Sequence, residues 1–198
     1  MPRGVQRVEM RQELIDAAAA IIDEGGVDAL TVRALSTRAG CASGVLYNYF
    51  DDLDDVVAEI VAAMLSDTIK TARTIVADPG ARPIADVLVE LAEAVVRDGN
   101  LRIATAAMSR PGVFERVRIQ FATDGVSNLA ALAGVVIGYL QAEQRIARVS
   151  NDADIETSAW MLIWALHEIL LAQRGNPSSR AIGVDRIVQT VLHGLGRP

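Results

Sequence analysis

The chain has 198 residues, 51% of them hydrophobic and only 4% aromatic, with 25 acidic side chains against 19 basic ones and a formal net charge of −6. That length accommodates one or two domains around a substantial core. The apolar content comes mostly from alanine, valine, leucine and isoleucine, which favours helix packed on helix, so the expected class is all-α. One cysteine excludes an internal disulfide, no apolar run approaches the ~18 residues of a bilayer-crossing helix, and the opening MPRGVQRVEMRQE lacks the apolar centre of a signal peptide; a cytoplasmic protein with no membrane partner is expected.

Residues 1–6 lack periodicity and read as a disordered arm. It is either a mere tail or, through Arg3 and Arg7, a minor-groove contact of the kind arginine-bearing arms make. From Val8 to Glu24, Val8, Leu14, Ile15, Ala18, Ile21 and Ile22 mark an amphipathic helix, with Arg11 as a charged interruption and Gly25-Gly26 as the stop. Val27 and Leu30 are expected to pack beneath the segment that follows.

Thr31 can cap a short helix through its hydroxyl; Val32, Leu35 and Ala39 form its inward stripe, and Gly40 supplies a left-handed C-terminal turn. Cys41 and Ala42 are small enough for a close helix crossing, and Cys41 reads as a small hydrophobe rather than a redox sensor. Ser43 can cap a second short helix whose Leu46 and Phe50, four apart, face inward. This is a helix-turn-helix pattern. The inward stripe leaves out Gly44, Val45 and Asn48, with Ser43, Tyr47 and Tyr49 on the flanks. That set makes a poor solvated surface but suits DNA: an amide bonds base edges, a small apolar group meets a thymine methyl, and phenols reach phosphates. On spacing alone, an αα-hairpin packed on a neighbour is the alternative.

The run ALTVRALSTRAGCASGVLYNYF, preceded by a helix ending in Glu24-Gly25-Gly26 and followed by an acidic helix start, resembles the DNA-binding domain of the TetR family of transcriptional regulators over roughly residues 8 to 60. Ala39-Gly40, Gly44, Leu46-Tyr47 and Tyr49-Phe50 fall at the family's spacing. The resemblance implies that Arg33 approaches a base from the first short helix, that Ser43, Gly44, Val45 and Asn48 face the major groove, and that Tyr47 and Tyr49 hold phosphates. It implies a three-helix DNA-binding domain over residues 1–52, followed over 53–198 by a helical effector-binding and dimerisation domain. Two departures stand out. The family usually places a phosphate-contacting lysine near the next helix start, where this chain has Leu53. Residues 1–55 also hold five arginines against ten acids, while phosphate binding wants local positive charge. Placement offsets the count, because Arg3 and Arg7 sit in the arm or first turn and Arg33 and Arg38 lie off the packed stripe.

Asp51-Asp52-Leu53-Asp54-Asp55 supplies a cap and complements the dipole of a long helix from about Leu53 to Val76. Asp78-Pro79-Gly80-Ala81-Arg82-Pro83 breaks the chain. Ile84–Arg97 is an amphipathic helix and Leu101–Arg110 a short one ended by Pro111-Gly112. Val113 to about Arg148 is long enough for one helix, with Gly125, Gly134 and Gly138 marking either kinks or close contacts. Ile155–Arg174 is apolar all round at its centre, Ala159 to Leu166, and so must be covered on every face, one side by its own domain and the other by a second subunit. A final helix is expected over Val184–Leu195. The resemblance implies that these last two helices form a four-helix bundle across a two-fold axis, and hence a homodimer on a palindromic double-stranded operator.

Regulators of this type enclose an apolar cavity with a few polar groups for a small-molecule effector. Candidates to line it are Met64, Met108, Phe121, Asn128, Met161, Trp164 and His167, with Phe114 and Tyr139 beside them; for each, an ordinary core or interface role is the alternative. No phosphate-binding G-x-x-x-x-G-K-[ST], no H-E-x-x-H and no second cysteine is present, so neither a cofactor, a metal nor an enzymatic activity is expected. The remaining carboxylates read as solvated helix faces. The expected function is a ligand-responsive repressor. Its rival is a helical small-molecule-binding or interaction protein with a vestigial helix-turn-helix.

Overall fold

The computed structural model of the chain describes residues 3–98, 103–105, 107–122, 128–172 and 183–196, with the side chains of 3–7, 120–122 and 128 outside the description. Among the described residues there are helices and no strands. The α-helices are α1 (Arg3–Gly25), α2 (Val32–Ala39), α3 (Leu53–Ile75), α4 (Ile84–Arg97), α5 (Pro111–Ala122), α6 (Asn128–Arg145), α7 (Ile155–Ala172) and α8 (Val184–Gly194). Two 3-10 segments, Val27–Ala29 and Ser43–Asn48, lie between them, and residues 103–105 and 107 are also helical. The chain forms two compact units, Met1–Met64 with Ile103–Asp124, and Leu65–Arg102 with Gly125–Pro198. This differs from a division at residue 52, because the first half of α3 and all of α5 belong with the N-terminal helices.

In the first unit α1 begins at Arg3, earlier than the expected Val8, because Gln6, Arg7, Glu9 and Met10 are good helix formers. The arm read over residues 1–6 is therefore helical from Arg3, and the side chains of Arg3 and Arg7 lie outside the described residues. Leu14, Ala18, Ile21 and Ile22 are buried on one face, while Val8 is exposed. Six residues of helix turn Val8 about 120° away from Leu14, off that face. Arg11 interrupts the apolar pattern because it has two partners: its guanidinium pairs with Glu59 of α3 and sits 4.8 Å over the centre of the Phe50 ring. Val27 and Leu30 are buried, and the 27–29 segment packs on α1.

In the second unit α4 packs against α7 and α8, α6 against α7, and α7 against α8. The stretch expected as one helix from Val113 to about Arg148 is described as α5 and α6, on either side of residues 123–127, which include Gly125 and lie outside the described residues. Gly134 and Gly138 mark no close contact, since a Cβ at either would meet open space, and α6 runs on through both. By length and composition alone α7, at 18 residues and mean hydropathy 1.2, is apolar enough to cross a bilayer, contrary to the expectation that no stretch qualifies. Its hydropathy has a local reason: Ile155, Ala159, Leu162, Ile163, Leu166, Ile169 and Leu170 are buried among three neighbouring helices.

Glu143 overturns the reading of every carboxylate as a solvated face. It is 0% exposed on α6, its Oε2 lies 3.0 Å from Arg148 Nη1, and its Oε1 accepts the Gly80 N–H at 2.9 Å. Arg148 in turn donates to the Arg82 carbonyl at 2.6 Å. A buried carboxylate and its half-buried arginine thus pin the proline- and glycine-bearing loop between α3 and α4. Burial pushes the adjacent Tyr139 phenol well above its ordinary range, and the Glu143 carboxylate raises it further.

Candidate nucleic-acid interface

The helix-turn-helix is fixed from beneath and open above. The Ala34 N–H donates to Thr31 Oγ1 at 3.1 Å, which caps α2. Gly40 closes it at φ 65°, ψ 27°, and the Cys41 N–H reaches back to the Ser36 carbonyl at 3.0 Å, the six-to-one bond of a Schellman turn. A residue with a side chain is strained at that φ, which is why glycine stands there. Ser36 is buried, donates to the Val32 carbonyl at 2.6 Å, and has its hydroxyl 3.2 Å from that of Ser43.

The second helix is a 3-10 helix of six residues, and its N-cap is Ala42 with no side-chain bond, so Ser43 does not cap it. The Ser43 hydroxyl faces Ser36 instead, which joins the two helices across the turn. Leu46 and Phe50 are buried at 1% and 3% exposure and anchor the segment from below. Above them Ser43, Gly44, Tyr47 and Asn48 are exposed, with Val45 and Tyr49 half-buried at the edge. The residues singled out for DNA contact therefore share one surface with its root in the core.

Gly44 is informative because nothing within the fold asks for it. Its φ is outside the left-handed region, and a Cβ there would meet no atom within 4 Å. A glycine kept at an exposed position without internal need leaves room for a close external approach. Cys41, beside it in sequence, is a half-buried free thiol.

The arginines divide. Arg33 is exposed on α2 and has no ion-pair partner among the described residues, so its charge is available to a phosphate or a base. Arg38 is not available in the same way: its Nη2 lies 2.6 and 2.8 Å from the two carboxylate oxygens of Glu24. The acidic start of α3 is also less negative than its sequence suggests. Asp52 Oδ1 caps α3 by accepting the Asp55 N–H at 2.9 Å, and Asp52 Oδ2 accepts Arg116 Nη2 at 2.8 Å. Asp54 Oδ1 lies 2.6 Å from Arg110 Nη2. Both arginines come from the 103–124 stretch of the same unit, more than fifty residues along the chain. No local periodicity signals such pairs; Glu143, by contrast, follows Val136, Tyr139 and Leu140 at helical spacing, so its place on the apolar face was legible.

The proposed effector-lining residues do not come together in one unit. Met64, Met108 and Phe121 belong to the first, Asn128, Met161, Trp164 and His167 to the second. Met64 and Met108 are half-buried, and the side chains of Phe121 and Asn128 lie outside the described residues. Met161 and Trp164 are 54% and 51% exposed, on the outward stripe of α7, so they do not line an interior cavity of their unit. The reason is register: they fall between the buried residues that pack α7 on its neighbours. His167 is half-buried, its buried Nδ1 has no hydrogen-bond partner among the described residues, and its ring meets Trp164 edge-on at 5.7 Å. Among the described residues no three His, Cys, Asp or Glu side chains gather where they could hold a metal ion.

Residues 14–60 match the family model described as bacterial regulatory proteins, tetR family. The HTH-type transcriptional repressor KstR2 of Rhodococcus jostii is 43% identical over 67 residues, which are 34% of this chain and 33% of that protein. The match therefore spans a third of that curated relative's length. Among solved structures, the fatty acid degradation regulator FadR from Bacillus halodurans superposes with a TM-score of 0.67 at 19% identity, covering 96% of this chain and 97% of that one. The transcriptional regulator FadR from Bacillus subtilis, in complex with stearoyl-CoA, does so with a TM-score of 0.64 at 17% identity, covering 93% and 96%. At these identities the structures establish a shared fold.

Proposed function

We propose that this chain, whose residues 14–60 match the tetR family model, is a cytoplasmic, non-enzymatic transcriptional regulator of that family, a repressor released from a palindromic operator by a small apolar ligand. The observation that carries the reading is the surface over residues 43–48: Tyr47, Asn48, Ser43 and an internally unneeded Gly44, held out by buried Leu46 and Phe50. In this reading Gly44, Val45, Ser43 and Asn48 enter the major groove, Tyr47 and Tyr49 hold phosphates, and Arg33 approaches a base or a phosphate from α2.

A second copy of the chain supplies the other half-site. Met161 and Trp164, large apolar side chains left exposed on the most hydrophobic helix, support a homodimer built on α7 and α8. Two-fold symmetry then sets the recognition segments about 34–36 Å apart, one turn of DNA. A small apolar ligand would act by tilting α3 and changing that separation, and only a difference in its affinity for the two forms can drive the change. That a regulator of this fold was solved with stearoyl-CoA supports an acyl or similarly apolar effector.

The test is retention of genomic DNA fragments by the purified protein at two salt concentrations, with sequencing of what is bound. A palindromic site whose affinity falls with salt is the expected result. Retention of nothing, by folded and dimeric protein, would leave a helical ligand-binding protein with a vestigial helix-turn-helix, a reading favoured by the acidic head and the pairing of Arg38 with Glu24.

A further inference from the structure

The start of α3 follows the recognition segment directly, with Asp51 and Asp52 just before the helix and Asp54 and Asp55 in its first turn. Four carboxylates beside a surface built for a polyanion would repel phosphates at short range, because two like charges a few ångströms apart are little screened at ordinary salt, where the screening length is about 8–10 Å. Two of the four are matched by Arg110 and Arg116.

The match is built rather than incidental. Arg116 Nη2 donates to Asp52 Oδ2 at 2.8 Å while the other oxygen of that carboxylate caps α3, so one side chain both starts α3 and holds α5. Arg116 is steadied from its own helix, donating through Nη1 to the Gly112 carbonyl at 3.2 Å. Arg110 Nη2 meets Asp54 Oδ1 at 2.6 Å, and a Cβ on Gly112 would collide with Asp54 Oδ2, so the close approach of Asp54 to the start of α5 requires glycine at 112. Asp52 and Asp54 thus have their partners in a stretch of sequence that adds nothing to the recognition surface itself.

We propose that Arg110 and Arg116 are positioning residues for DNA binding whose task is electrostatic: they neutralise Asp52 and Asp54 and make an acidic helix start compatible with phosphates. This rests on the DNA-binding reading above. Its signature is an asymmetry. If the two pairs were only structural clasps, breaking them from either side would weaken DNA binding. If they neutralise, removing the arginines weakens binding and removing the acids does not.

The experiment uses the full-length protein and a mixed-sequence DNA duplex, since non-specific affinity is set by charge and needs no operator. The pair Arg110→Gln and Arg116→Gln is expected to lower affinity roughly 10-fold at low salt, with the deficit shrinking as salt is raised. The pair Asp52→Asn and Asp54→Asn, in which asparagine keeps the cap, is expected to bind as well as the parent or better, and the fourfold variant to return to the parent's affinity. Unchanged affinity in the folded arginine variant, weakened binding in the asparagine variant, or a fourfold variant that stays weak would each overturn the proposal. Should the arginine variant fail to fold, the asparagine variant decides alone by the sign of its change. A parent protein that binds no duplex at low salt would refute the regulator reading itself, a distinct outcome.

Discussion

Gly44→Ala separates the demands of the fold from the demands of the ligand at a single methyl group. Within the chain the substitution is free: the added Cβ meets nothing within 4 Å and the backbone is outside the left-handed region. Alanine also restricts the unfolded chain, so the folded state is expected to gain about 0.4–1 kcal/mol. Against DNA the sign reverses. A methyl on the exposed side of Ser43–Asn48 enters a packed groove contact, and overpacking of that kind costs about 1–3 kcal/mol, a roughly 5- to 150-fold loss of affinity. The assay is fluorescence anisotropy on the site recovered from genomic fragments, with urea unfolding of the same preparation. Higher stability with unchanged affinity would mean that this surface does not approach DNA. Lower stability would refute the reasoning from open space around Gly44.

Tyr47→Phe alters an exposed phenol, so unfolding should shift by no more than about 0.5 kcal/mol, while operator binding falls by about 0.5–1.5 kcal/mol through a lost phosphate bond; equal affinity would remove the assignment of Tyr47 to a phosphate. Met161→Glu with Trp164→Glu should leave each subunit folded and convert the protein to monomer in sedimentation equilibrium, and a dimer that persists would place the interface elsewhere. Glu143→Ala leaves the Gly80 N–H without its acceptor and Arg148 without its carboxylate, and should cost about 1–3 kcal/mol by chemical denaturation. Tyr139 holds its proton more tightly folded than unfolded, so its contribution is complete below about pH 10, the ordinary tyrosine value, and is lost as pH rises above it. Melting temperature followed upward from pH 9 should show this slope, and Tyr139→Phe should lack it.

What the sequence made legible was local. The Thr31 cap and the Gly40 turn are contacts between residues a few places apart, and the starts of α3 at Leu53 and of α4 at Ile84 follow from punctuation beside them. The outward face of residues 43–48 was legible for the same reason, since the buried pair Leu46 and Phe50 determines what is left outside. Ser43 misled because a serine before a helix reads as a cap, and the competing partner, Ser36, appears only once the two helices cross. Arg11 reads as a flaw in an amphipathic stripe until Glu59 and Phe50 are brought to it. The acidic run was counted correctly, but its two arginines lie across a fold that periodicity does not encode. Met161 and Trp164 read from the sequence as cavity-lining candidates and stand exposed on α7; hydropathy reports that a side chain needs cover without saying whose surface provides it.

The first unit is not a contiguous piece of chain, and that bears on how such a protein can be cut and recombined. A fragment ending near Met64 would carry every residue of the recognition surface yet leave Asp52 and Asp54 without Arg116 and Arg110. Grafted onto a foreign effector domain, it would bring its own repulsion with it. A chimera that also inherits Ile103–Asp124 keeps its ion pairs, so the unit of exchange is two separated stretches of sequence that travel together, and a crossover falling between them is expected to yield a folded head with a poor grip on DNA.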